Sequence, residues 1–497
     1  MNSEVVVVGG GIGGLTVAAL LAARGVDVCL LERESRVGGC VTSFDKFGYS
    51  FEPGYGLYAS WQPNEIHDRV FAELPVGPPQ VRLMEPGYTV RLPDKSEISL
   101  TADSEAFENN LRDVFPECAE KAVSFYRKLR PVSAALLRVI QKHPDFLMTS
   151  RSRQAYALLP EGRVGAQILA SSKHTALQHL DGLSQRFRRF LDVQLFALAQ
   201  AGAGDVSYLY AALALIAPQG GLFGIQGGAS ALADRLAESI KQSGGRIRLN
   251  APVLRLCYDS AGNPSGVDLL SGETVTASRA IISNLTLWDT YGKLIGLNRT
   301  PGELRKELKA LRSWGAYLIY AGMDEAPVGS ISSGGVLAFT DWQDGEEYNP
   351  ENNQLFFTPA PSWDPRAPEG KRAATVHSFT DVDDWFTYHT DEGELEERDQ
   401  QMLESCWGRL HTVMPALGNQ IEVIDTVTPR TFYEQTRRKL GMVGGAIPTP
   451  EVFWANKPRY QSCFPNLFLV GDTLAPGGIA GVTNLALALA NRLTSRT

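Results

Sequence analysis

Three short stretches hold residues whose types and spacing have chemical consequences. The first is Gly9-x-Gly11-x-x-Gly14, where glycines take five of the six positions from 9 to 14 and Ile12 the other. Gly9 permits a tight turn, Gly11 lets backbone approach a pyrophosphate, and Gly14 allows a helix to pack closely on a strand. Ile12 and Gly13 complete the loop, and phosphates would sit at the positive end of the helix that starts there. The second stretch begins at Glu32, roughly twenty residues after the loop, where a carboxylate can accept hydrogen bonds from ribose hydroxyls. Arg33, Arg36 and the pair Gly38-Gly39 follow it closely. The third is Gly471-Asp472, near the other end of the chain. The glycine loop and Glu32 together describe a dinucleotide site.

The surrounding pattern supplies the elements that must hold these residues. Val5 to Val8 form an apolar β-branched run, as expected of a parallel strand buried on both faces. A small-residue helix over 13–24 follows, Gly25 stops it, and residues 26–31 read as a second strand. A second block begins after residue 220. It holds a helix over 229–242 with Leu232, Leu236 and Ile240 at helical spacing. Short strands follow near 247–249, 253–256, 267–270 and 280–282. A third block has a strand at 467–470 and a helix over 479–493. Between the blocks, 105–215 is largely helical in period and 340–370 reads as loop. The expected fold is α/β. A Rossmann-type dinucleotide-binding domain, with a parallel sheet plus a β-meander, is interleaved with an α+β substrate domain. The expected boundaries are 1–70, 221–290 and 425–497 for the first domain, and 71–220 and 291–424 for the second.

Bulk properties narrow the function. The 497 residues are 44% hydrophobic and 21% charged, with a formal net charge of −8. That charge argues against a general nucleic-acid binder, which needs a basic stripe to neutralise phosphates. The most apolar stretch, 193–217, carries Asp205 and several glycines and is not a membrane span. The six cysteines (29, 40, 118, 257, 406 and 463) are scattered without a CxxC pair, which fits reduced thiols and a cytoplasmic protein. His377, Asp381, Asp383, Asp384 and His389 invite a metal site, but their spacing fits no regular ligand set. They read as an acidic, solvated loop, and no metal is expected.

With the glycine loop, Glu32, the twin glycines and the distant Gly-Asp in hand, the chain resembles the superfamily of flavin amine oxidases and phytoene desaturases. The resemblance implies FAD, and makes the first domain a Rossmann-type FAD-binding domain of the GR2-like kind. It places Gly38 and Gly39 along the pyrophosphate, Asp472 on the ribityl chain or phosphate, and Gly481 and Val482 against the pyrimidine end of the flavin. It also places the backbone of Val253 beside adenine. Members commonly carry arginine after the twin glycines; here Cys40 stands there, so charge compensation is expected from Arg36 and the helix terminus. No cysteine-containing flavinylation motif stands near the carboxyl end, so FAD is expected to be non-covalent.

Several segments are similar to the carotenoid desaturase and isomerase branch: residues 47–54, His377-Ser378-Phe379-Thr380 with Trp385, residues 428–432 with Gly444-Gly445, and residues 467–478. The branch implies a long apolar polyene, changed by hydride transfer to or from flavin N5, with oxygen or quinone as electron acceptor. Glu52 and Tyr55, which follow the flavin loops, are the candidate acid or base. Two other readings stand beside this one, an amine oxidase of the same fold and a non-enzymatic carrier of prenylated proteins. An insoluble substrate would also favour peripheral membrane contact through the leucine-rich stretch near 190–217.

Overall fold

The computed structural model describes residues 2–495, apart from 312, 326–330, 332–333, 343–347, 387–391 and 455–459. The valines of strand Asn2–Val8 are buried, and the strand lies inside the sheet between two parallel neighbours, Val28–Leu31 and Thr274–Ser283. Arg246–Arg248 extends this sheet beyond Val28–Leu31, and Leu467–Leu469 pairs in parallel with the last residues of Thr274–Ser283. The first residues of Thr274–Ser283 pair instead with an antiparallel ribbon, Val253–Tyr258 and Pro264–Leu269. Parallel sheet and β-meander therefore share one strand, and the fold is the expected α/β type. Helix Ile12–Ala23 is buried along almost its whole surface because it packs between helices Gly228–Gln242 and Gly478–Thr494. Its small, apolar composition suits that position.

A second seven-stranded sheet runs in the order Ile421–Val427, Gly315–Asp324, Lys371–Thr380, Gln354–Pro359, Val336–Phe339, Tyr88–Arg91, Glu97–Leu100. Its pairs are antiparallel except Val336–Phe339 with Tyr88–Arg91. Helices from Ser104–Val114 to Tyr208–Gly220 pack a separate core of phenylalanine and leucine side chains.

Two expectations need correction. The stretch 340–370 is not all loop: Gln354–Pro359 is a strand, buried at five of its six positions. Burial on both faces removes the alternation that would have revealed it. His377 is not in a solvated loop either. It sits inside strand Lys371–Thr380 and is 6% exposed. His389 lies outside the described residues. Among the described residues no group of three or more potential ligands could hold a metal ion, and no helix is long and apolar enough to cross a membrane. The stretch 190–217 forms parts of helices Gln185–Ala199 and Tyr208–Gly220, whose apolar side chains go mainly into the core.

Candidate active site

The carboxyl ends of four strands of the first sheet meet at one place. Val8 leads into Gly9, Leu31 into Glu32, Ser283 into Asn284, and Leu469 into Gly471 and Asp472; all of these except Ser283 and Leu469 line one cavity of about 640 Å³. Open α/β sheets bind ligands at this edge. The backbone there is drawn very close. A Cβ on Gly14 would lie 2.2 Å from the Gly9 carbonyl oxygen, so Gly14 serves packing and does not itself line the cavity. Gly38 and Gly39 have φ of 120° and 58°, which side-chain-bearing residues rarely adopt. The Gly38 N–H donates to the Gly10 carbonyl at 2.9 Å, stitching the twin glycines to the first loop.

Glu32 is 8% exposed. Its carboxylate accepts the Gly10 N–H at 2.6 Å and the Glu34 N–H at 2.9 Å, which fixes it at the cavity wall. Helices Ile12–Ala23 and Gly478–Thr494 both begin at this cavity, and neither has a side-chain cap at its start. Their free N–H groups and positive ends are therefore available to a negatively charged ligand.

The residues named from the sequence divide as follows. Gly9, Gly11, Ile12, Gly13, Glu32, Arg33, Gly38, Gly39, Cys40, Val253, Gly471, Asp472 and Val482 line the cavity; Gly14, Arg36 and Gly481 do not. Arg36 donates to the Ser43 carbonyl at 2.8 Å, so it does not supply the cation beside Cys40. That position belongs to Arg438, whose Nη1 is 3.9 Å from Cys40 Sγ and donates to both carboxylate oxygens of Asp472, at 3.1 and 2.9 Å. Its Nε donates to the Met442 carbonyl at 2.9 Å, and its Nη2 to the Gly444 carbonyl. Burial works against the charge of Arg438, but the Asp472 carboxylate outweighs it and keeps the guanidinium protonated. Burial pushes the Cys40 thiol up, so it stays a thiol.

Sequence reasoning missed Arg438 and Asn284. Arg438 stands in the run Arg437-Arg438-Lys439, which gives no sign of which cation turns inward. Asn284 had a readable signal, a polar residue ending the apolar run Ala280-Ile281-Ile282, and its side chain fills the space against Gly11, Gly13 and Gly14.

Glu52 does not reach the cavity. It is 6% exposed, accepts from Arg366 Nη1 at 3.0 Å and the Ala229 N–H at 2.9 Å, and also accepts the Tyr58 hydroxyl. Arg366 in turn holds Asp364. The carboxylate thus sits at the start of helix Gly228–Gln242 as a tie between distant segments. Tyr55 does line the cavity, with its ring 4.8 Å from those of Phe356 and His377. Burial raises its hydroxyl above the ordinary tyrosine value.

The far wall is one face of the second sheet. Ala316 and Leu318 from Gly315–Asp324, Gln354 and Phe356 from Gln354–Pro359, and His377 and Phe379 from Lys371–Thr380 form it. Together the two walls fit FAD: a backbone cradle with helix N-termini for phosphates, a buried carboxylate for ribose, and a wide apolar end for a flat ring.

Fold and site define the protein as an FAD-dependent oxidoreductase. Its structure resembles an oxidoreductase from Methanosarcina mazei with a TM-score of 0.64 at 18% identity, covering 98% of this chain and 99% of that one. It also resembles putrescine oxidase bound to putrescine, with a TM-score of 0.65 at 15% identity and full coverage of both chains. A model of the flavin containing amine oxidoreductase family matches residues 12–494, and the chain belongs to that family. Among curated relatives it is 25% identical to the all-trans-retinol 13,14-reductase of Danio rerio, over 99% of this chain and 86% of that protein. It is 24% identical to the chloroplastic prolycopene isomerase of Daucus carota, over 99% and 80%.

Proposed function

We propose that the enzyme acts on a long apolar polyene, as a carotenoid-type desaturase or isomerase. The observation that carries this reading is the apolar floor, where Ala316, Leu318, Phe356 and Phe379 lie on one face of a sheet beside the cradle. The acidic residues that line the cavity, Glu32, Glu34, Asp289 and Asp472, belong to segments outside the floor strands, which offer no carboxylate to a cationic amine. The two curated relatives, named as a retinol reductase and a prolycopene isomerase, support the same substrate class.

When bound, FAD supplies hydride-transfer chemistry. The chain supplies placement. Glu32 and Asp472 hold the polar parts of the cofactor, and the open helix starts at Gly11 and Gly477 favour its negative charge. The floor side chains exclude water and lay an extended molecule flat, so that orientation provides much of the rate. Tyr55 keeps a proton on its hydroxyl at the edge of this floor.

The test is the visible spectrum of the holoenzyme under anaerobic conditions, before and after a solubilised linear carotenoid is added. Bleaching of the flavin band is the expected result for a desaturase. Bleaching by a small amine, with none by the carotenoid, would replace the reading with an amine oxidase. FAD is held without a covalent bond in this reading, because the cysteine of the cavity wall, Cys40, is a half-buried protonated thiol beside Arg438 that follows the twin glycines. Acid precipitation should therefore release all the flavin, and flavin retained in the pellet would count against it.

A further inference from the structure

The floor of the cavity is apolar except at one corner. Gln354 and His377 are 2% and 6% exposed and stand on the face that also presents Leu318, Phe356 and Phe379. Phe356 pairs directly with His377 across the strands, so Gln354, two residues earlier, is the diagonal neighbour of His377, about 7 Å away between Cβ atoms. Tyr55 joins them, its ring edge-on to His377 at 4.8 Å.

Each of these side chains is tied down at one end. Gln354 Oε1 accepts the Tyr348 hydroxyl at 2.6 Å. His377 Nε2 shares a hydrogen bond with Thr358 Oγ1 at 3.1 Å. Tyr55 is held between two rings. The other ends are not engaged. Among the described residues Gln354 Nε2, His377 Nδ1 and the Tyr55 hydroxyl have no hydrogen-bond partner, and none of the three atoms is sealed from the cavity. Two polar side chains that line the cavity from neighbouring helices are spent internally: Gln200 on Val443 and Ser313, and Tyr210 on the Leu198 carbonyl.

Three orphaned polar atoms on an apolar floor would be a poor surface for a pure hydrocarbon. Covering them with carbon leaves each buried without a partner, at a cost of roughly 1–3 kcal/mol apiece. One oxygen relieves the larger part of that cost, accepting from Gln354 Nε2 or Tyr55 and meeting the imidazole of His377 at Nδ1. We propose that Tyr55, Gln354 and His377 form an oxygen-reading corner, and that the substrate is an apolar polyene carrying a hydroxyl or carbonyl group. This rests on the apolar-polyene reading above and narrows it.

The test is equilibrium binding to the holoenzyme, followed by quenching of tryptophan fluorescence. The probes are all-trans-retinol and axerophthene, the same polyene without the hydroxyl. The expected result is that the alcohol binds about ten- to a hundred-fold more tightly. In Gln354→Met and His377→Phe, shown to retain FAD by their visible spectra, the difference should shrink towards parity. Equal affinity of the wild-type enzyme for both probes overturns the corner while leaving the apolar reading in place. If neither probe binds, the polyene reading falls and the corner with it. The wild-type comparison decides the matter even where a variant fails to fold.

Discussion

On the side of the parallel sheet the cavity wall is backbone; on the side of the antiparallel sheet it is side chains. The cradle brings together residues 9–13, 38–40, 284 and 471–472; Gly11 and Gly13 leave no room for an added carbon, and Gly9, Gly38, Gly39 and Gly471 hold positive φ. The floor comes from three strands whose outward residues range from alanine to phenylalanine and histidine. A wall of backbone recognises what does not vary, the phosphates and sugars of a cofactor. A wall of side chains can be recut for another substrate without touching the first. The two should therefore respond very differently to mutation.

The largest expected effect is at Gly14. Gly14→Val places its Cβ against the Gly9 carbonyl and should abolish FAD retention, read as loss of the flavin absorbance after purification. A floor change of similar bulk, Ala316→Val, should leave flavin content intact. Next is Arg438→Ala. It removes the cation that clasps Asp472 and two backbone carbonyls. We expect about 2–3 kcal/mol lost in urea unfolding, below the roughly 3–5 kcal/mol of a sealed ion pair, because the Asp472 side chain keeps 34% exposure. FAD affinity should fall with it. Glu52→Gln should cost about 1–3 kcal/mol of stability by loosening Arg366, with turnover per bound flavin unchanged. A selective loss of turnover would make Glu52 catalytic after all.

A smaller effect follows from pH. Burial lowers the pKa of His67 and of His377 from 6.5 to about 3, so both are neutral when folded and take up a proton readily only when unfolded. Stability should therefore fall as pH drops from about 6.5 towards 3, by up to about 1.4 kcal/mol per pH unit for each histidine. His67→Phe, replacing a ring stacked 4.3 Å from Trp61, should make that acid limb shallower in a denaturation series. The smallest change belongs to Arg36→Ala, whose guanidinium donates to the Ser43 carbonyl and does not line the cavity. FAD affinity should move by less than about 0.5 kcal/mol, in contrast with Arg438.

The cradle was largely legible because its chemistry demands residue types at fixed spacing next to strands: Gly9, Gly11 and Gly14 after the valine run, Glu32 after the second strand, Gly471-Asp472 after Leu467-Phe468-Leu469. The floor was not. Gln354 and Phe356 look like part of a Pro- and Asn-rich loop until the strand pairing is known, and His377 looks like one more polar residue beside Asp381, Asp383 and Asp384. Its inward aim follows from register with Phe356, and register between strands that belong to different stretches of chain cannot be counted from composition. The same limit hid Arg438 and assigned its role to Arg36, which is nearer in sequence and farther in space.

The order in which the first sheet is assembled sets a timetable for the cell. Strand Asn2–Val8 needs Thr274–Ser283 as a neighbour, and Thr274–Ser283 is paired in turn by Leu467–Leu469. Gly11 and Asp472, 461 positions apart in the chain, thus line one cavity. At about 5–20 residues per second, the glycine loop waits roughly half a minute or more before Asp472 and helix Gly478–Thr494 are made. A chain interrupted before residue 472 lacks Asp472 and the uncapped start of helix Gly478–Thr494, two parts of the wall on which the cofactor would rest.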